Sequence, residues 1–146
     1  VYKRQVMRTI KTTIAAITFG ALFGSSSASA DPESIARQVG DYWANCDAEG
    51  WLSMRSDDSF IFGPNWKAEG KLGVTQFINW AISELCVDGK NTTEVTGYAT
   101  SGNLVLLIWT DEVRGLTGTD TMLIEDGKVV GQTAAAFPIV ASSVAQ

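Results

Sequence analysis

Apolar and polar positions alternate most strongly in the last third of the chain. Residues 104–113 (LVLLIWTDEV) are rich in β-formers, and 119–125 and 128–137 are two further strand-like runs separated by Asp126-Gly127. An Asp-Gly pair between such runs predicts a hairpin, because a type I′ turn needs positive φ at both central positions. A period of two places Val105, Leu107, Trp109 and Asp111 on one face of the first strand. It groups Asp120, Met122 and Ile124 on the second strand, and Val130, Gln132 and Ala134 on the third. A strand over 93–99 joins the first through a Ser101-Gly102-Asn103 turn. These runs describe a curved antiparallel meander.

The earlier half reads as helical. Asp31 is a fitting N-cap and Pro32 suits the first helical position. Ile35, Val39, Trp43 and Cys46 recur at spacings of 4, 4 and 3, predicting a helix over 32–47. A short helical piece over 49–55 leads into a strand over 59–62, which Gly63-Pro64-Asn65 breaks. Residues 65–71 read as a loop or short ribbon carrying Trp66. The longest helix is predicted over 74–86, with Val74, Phe77, Ile78, Ala81, Ile82 and Leu85 on one face, and Asp88-Gly89 stops it. Three helices gathered before a strongly curved, mainly antiparallel sheet predict an α+β layer packing.

Charge narrows the partners. Met7, Arg8 and Lys11 begin a basic-apolar-small pattern that ends in Ala28-Ser29-Ala30, so 7–30 reads as a signal peptide, 1–6 as a sequencing remnant and 31–146 as one domain. The expected destination is periplasmic or secreted. Residues 1–30 hold four of the eleven basic residues and none of the sixteen acidic ones, leaving seven against sixteen and a net charge of −9 on the rest. An acidic surface without a Lys/Arg cluster argues against nucleic acid and anionic membrane as partners.

Two cysteines, Cys46 and Cys86, are destined for an oxidising compartment. They read as a disulfide, with two buried free thiols as the alternative. Their number and spacing exclude a CxxC redox motif and a cysteine zinc cluster, and the absence of histidine removes Ser-His and Cys-His triads. No cofactor or metal site is expected.

The element order, Asp57-Asp58-Ser59-Phe60, Glu69-Gly70 before the third helix and the closing Ile124-Glu125-Asp126-Gly127-Lys128-Val129-Val130 together resemble the NTF2-like superfamily, particularly its SnoaL-like branch. The resemblance covers about residues 33–137 and implies a cone: a bent mixed sheet wrapped around a pocket and closed by three helices. The superfamily includes ketosteroid isomerases, polyketide cyclases, limonene epoxide hydrolases and non-catalytic binding domains, so fold alone assigns no chemistry. By similarity to the ketosteroid isomerases, Tyr42 stands near their tyrosine oxyanion donor and Asp120 matches their neutral aspartic acid. Their general base, an aspartate before a proline, is Gly63 before Pro64 here, which argues against steroid isomerisation. The hydrolases' Arg and two Asp would fall at Trp109, Asp111 and near Ala134, leaving one acid of the set and excluding that reaction.

The candidate pocket is therefore apolar with isolated polar points. Asp120 and Tyr42 are the candidate catalytic or ligand-orienting groups, and Trp43, Phe62, Trp66, Trp109, Asp111, Met122 and Gln132 the candidate wall. Each has a plainer reading: Asp120 as a turn cap, Asp111 as a solvated acid beside Glu112 and Arg114, and Tyr42 at a helix edge with its tip in water. The primary expectation is an exported domain that binds a small hydrophobic molecule. The alternatives are an isomerase, cyclase or hydrolase using Asp120 as acid or base, and a non-catalytic domain forming a homodimer through the outer sheet face.

Overall fold

The computed structural model of the protein describes residues 30–140. The expected remnant, nearly all of the leader and residues 141–146 lie outside the described residues. Asp31 caps α1 (Pro32–Ala44) by accepting from the Ser34 amide at 3.1 Å, and α1 buries Ile35, Ala36 and Val39. The helix stops before Cys46, whose φ of 57° ends the repeat three residues earlier than its apolar stripe suggested. Asp47 then caps α2 (Ala48–Ser53) through the Gly50 amide.

β1 (Arg55–Gly63) and β2 (Trp66–Glu69) form an antiparallel ribbon, so the segment carrying Trp66 is a strand. α3 (Gly70–Leu85) begins four residues earlier than the periodicity implied and buries Val74, Ile78 and Ala81. Asp88-Gly89 does more than end that helix: with φ of 51° and 74° it turns β3 (Cys86–Val87) onto β4 (Lys90–Asn91). β5 (Glu94–Ser101), β6 (Leu104–Asp111), β7 (Leu116–Glu125) and β8 (Lys128–Pro138) follow as the expected meander. Asp126 and Gly127 both have positive φ, as the predicted hairpin requires.

The main sheet runs β2-β1-β8-β7-β6-β5 and is antiparallel except where β1 lies parallel to β8. This is a curved sheet with three helices among the described residues, and α3 follows two strands, β1 and β2, where the sequence predicted one. One register expectation fails. The sheet slips between Leu123 and Ile124, so Val129 is opposite Ile124 and Val130 is the extra residue. A bulge reverses the alternation there: Val129 is fully buried and Val130 only partly. Cys46 and Cys86 form a disulfide that ties the exit of α1 to the exit of α3.

Candidate functional site

The helices and the inner sheet face enclose a partly open cavity of about 280 Å³ with an overwhelmingly apolar wall. Leu107, Trp109 and Asp111 from β6 reach it in alternation, as do Leu116, Asp120 and Met122 from β7 and Gln132, Ala134 and Ala136 from β8. α1 contributes Val39 and Trp43, and α2 contributes Trp51, whose ring meets Trp43 edge-on with centroids 4.9 Å apart. Trp66 stacks on Phe77 at 4.5 Å and folds back over Gly63, where any Cβ would strike its indole. Trp66 and Trp80 keep 39% and 55% of their surface exposed and line the cavity where it meets solvent.

Asp120 is the polar centre of this wall. Trp109 Nε1 donates to its Oδ1 at 3.0 Å and Gln132 Nε2 donates to its Oδ2 at 2.5 Å. Trp109 reaches that far because it pairs with Gly118 on β7; a Cβ there would overlap the indole at 2.3 Å. Gln132 is oriented in turn by Arg55, whose Nη2 donates to the Gln132 Oε1. Burial pushes the Asp120 carboxyl above its usual range, against the two donors and the Arg55 charge, which favour the ionised form. Arg55 is itself 7% exposed, and burial lowers its pKa to about 10 while the Asp120 charge opposes that change.

The second inward acid behaves differently. Asp111 accepts from Thr92 Oγ1 at 2.9 Å, from the Arg114 amide at 3.0 Å and from Arg114 Nη1 at 2.6 Å. Arg114 Nη2 also donates to the Leu85 carbonyl, so the cluster fastens the β6–β7 turn to the end of α3. Burial raises the Asp111 pKa, but the Arg114 side chain, the Arg114 amide and Thr92 together bring it below the usual carboxylate range. The solvated reading of Asp111 is thus corrected: it is 2% exposed and ion-paired.

Two candidates fall outside the cavity. Phe62 lies on the opposite face of β1 from Ile61 and stacks on Phe60 at 4.7 Å, since successive strand residues point to opposite faces. Tyr42 does not reach the wall either. It packs where a Cβ on Gly50 would touch its ring, and its hydroxyl accepts from Gln38 Nε2 at 3.0 Å. One position, about 100° of rotation on the helix, separates it from Trp43 in the inward stripe. Conversely, Arg55 and Trp51 were not singled out as site residues. Arg55 stood at the end of a helical pattern beside a run of polar residues, and no local signal marks a cation that will be buried under a distant glutamine.

No family model matches the chain, and no curated protein matches it. Solved structures do. A SnoaL-like protein of unknown function from Burkholderia thailandensis superposes with a TM-score of 0.63 at 16% identity, covering 73% of this chain and 93% of that one. An NTF2-like protein of unknown function from Cytophaga hutchinsonii gives 0.60 at 12% identity, with 74% and 91% covered.

The chain has the NTF2-like fold.

A SnoaL-like family protein from Agrobacterium tumefaciens described as an isomerase shares this NTF2-like cone at a TM-score of 0.55 and 16% identity, over 72% of this chain and 96% of its own. Identities this low show the fold alone, and the chemistry of the domain rests on its own cavity. Among the described residues, no group of three or more His, Cys, Asp or Glu is placed to hold a metal ion, and no helix is long and apolar enough to cross a membrane.

Proposed function

We propose that this domain binds a compact apolar molecule carrying one O–H or N–H group, which the molecule donates to Asp120. The observation that carries the reading is a carboxyl held by Trp109 and Gln132 on the wall of an apolar cavity. A carboxylate has about four lone-pair sites, and the two protein donors occupy one on each oxygen, leaving capacity for a ligand. The cavity volume of 280 Å³ lies at the lower edge of the roughly 300–1,000 Å³ of small-molecule sites, which suits a one- or two-ring ligand.

The same carboxyl supports a second reading as an acid or base. Its pKa is raised by burial, and a proton acceptor works best when its pKa approaches the operating pH. A disulfide between the two cysteines favours export to an oxidising compartment. Leu104 and Ile108 on the outer sheet face, with Phe137 beyond them, are 45%, 42% and 56% exposed and suit pairing of two copies through that face.

Naphthalene and 1-naphthol test the binding reading, because they share a ring system and differ by one hydroxyl. 1-Naphthol is expected to quench tryptophan fluorescence and raise Tm more than naphthalene does. Ala134→Leu, which fills the cavity, should abolish both responses. Equal responses to the two compounds, or none, would refute the role given to Asp120.

A further inference from the structure

One side chain that does not line the apolar cavity governs three residues that do. Arg55 opens β1 opposite Val129 of β8, is 7% exposed and lies behind the cavity wall. Its Nη2 donates to Gln132 Oε1, and its guanidinium carbon lies 5.6 Å over the Trp51 ring, within cation–π range. Gln132 and Trp51 both line the cavity, and Gln132 Nε2 carries the contact on to Asp120.

The direction of these bonds is fixed by their chemistry. A guanidinium only donates, so the one atom of the Gln132 amide that can meet Arg55 is its oxygen. That turns the amide N–H group toward Asp120. The indole of Trp109 also only donates, to the other carboxyl oxygen at 3.0 Å. Among the described residues, the Asp120 carboxyl therefore meets two donors and no acceptor. A ligand acceptor would require a proton on that carboxyl, whereas a ligand donor finds an open lone pair.

We infer that Arg55 is a positioning residue of this cavity: it locks the Gln132 amide with its N–H group on Asp120 and thereby selects ligands that donate a hydrogen bond over ligands that accept one. This role rests on the ligand-binding reading above and adds the residue that sets its polarity.

Charge acts in the same direction. Burial lowers the Arg55 pKa to about 10, which still leaves a cation at neutral pH, and the anion acting on it is Asp120, across the Gln132 amide. For Asp120, burial favours the neutral acid, while Trp109, Gln132 and the Arg55 charge favour the carboxylate. The other charged groups on the cavity wall, Asp111 and Arg114, are paired with each other at 2.6 Å. Loss of the Arg55 charge thus leaves burial less opposed, and it frees the Gln132 amide to turn. Of the two roles open to a buried carboxyl, Arg55 favours acceptor over acid.

The test compares the full chain with Arg55→Met and Arg55→Lys, each checked for its fold by circular dichroism, with Arg55→Gln as the uncharged variant should Arg55→Met not fold. In a carboxyl-labelled NMR titration without ligand, the uncharged variant should move the Asp120 midpoint to higher pH. Arg55→Lys, which keeps a cationic donor, should return the midpoint toward that of wild type. The preference for 1-naphthol over naphthalene, read as the ratio of their dissociation constants, should fall by about tenfold in the uncharged variant, as expected for one hydrogen bond to a charged group. A midpoint that does not rise in the uncharged variant, one that rises as far in Arg55→Lys, or an undiminished preference for 1-naphthol would each overturn the assignment. A wild-type protein that treats the two compounds alike would refute the ligand reading instead, and the ligand-free midpoints would still decide whether Arg55 governs Asp120.

Discussion

Asp111 and Asp120 are both inward-facing acids on neighbouring strands, yet the protein treats them in opposite ways. Asp111 is covered but shallow: Arg114 and Thr92 lie directly on it and leave 2% of it exposed. Asp120 is deep yet keeps some accessible surface, because what it faces is the cavity. The first meets its counter-charge directly, at 2.6 Å, and its pKa falls. The second meets Arg55 only through an intervening amide, and burial prevails. A directly paired cation at one acid and deep burial at the other separate a structural carboxylate from one whose proton can be moved.

The largest effect should come from breaking the direct pair. Asp111→Ala leaves a largely buried Arg114 without its partner and is expected to cost about 3 kcal/mol in urea unfolding. Because its folded pKa lies below the unfolded value of about 3.9, Asp111 stabilises above that pH. That contribution is lost as pH falls through its folded pKa, and the variant should lack this acid-limb loss. A variant curve parallel to wild type below pH 4 would contradict the ion-pair account.

Trp109→Phe removes the indole donor to Asp120 and some packing volume, for an expected cost of about 1–2 kcal/mol. It should also raise the Asp120 pKa further, since one of the donors favouring the ionised form is gone. An unchanged or lower midpoint in carboxyl NMR would show that the hydrogen bond does not tune this acid.

Asp120→Asn should change stability least at neutral pH, by about 1 kcal/mol or less, because two effects oppose each other. One protein donor loses its acceptor, and a charge is removed from apolar surroundings. The pH profile carries the contrast. With a raised folded pKa, the native state binds the proton more tightly than the unfolded chain, so stability declines as pH rises from about 3.9 to the folded value and is flat above it. Asp120→Asn should lose that decline, the reverse of what Asp111→Ala loses. Superimposable slopes in wild type and Asp120→Asn would remove the distinction between the two acids.

Much of this architecture was legible from residue patterns. The Asp126-Gly127 turn, the inward set on β6 and the Asp120–Met122–Ile124 set on β7 follow from local spacing, and the coordinates place them so. Tyr42 and Phe62 were misplaced for a shared reason. Each is an aromatic next to a true inward residue, Trp43 or Ile61, and a shift of one position on a helix or strand changes the face. Val130 failed at a bulge, which inserts a residue without any consistent signature in composition.

What the amino-acid order determined by itself is the set of local elements, their buried faces and two cysteines able to meet. These depend on neighbours a few positions apart, where backbone geometry converts spacing directly into orientation. Only the folded chain decided that β1 would lie parallel to β8, carrying Arg55 under Gln132 across 77 positions. Parallel pairing has no turn to announce it, and a buried cation is tolerable only once its distant partners are assembled around it. The acid in the cavity was visible in the string of letters; the arginine that governs it was not.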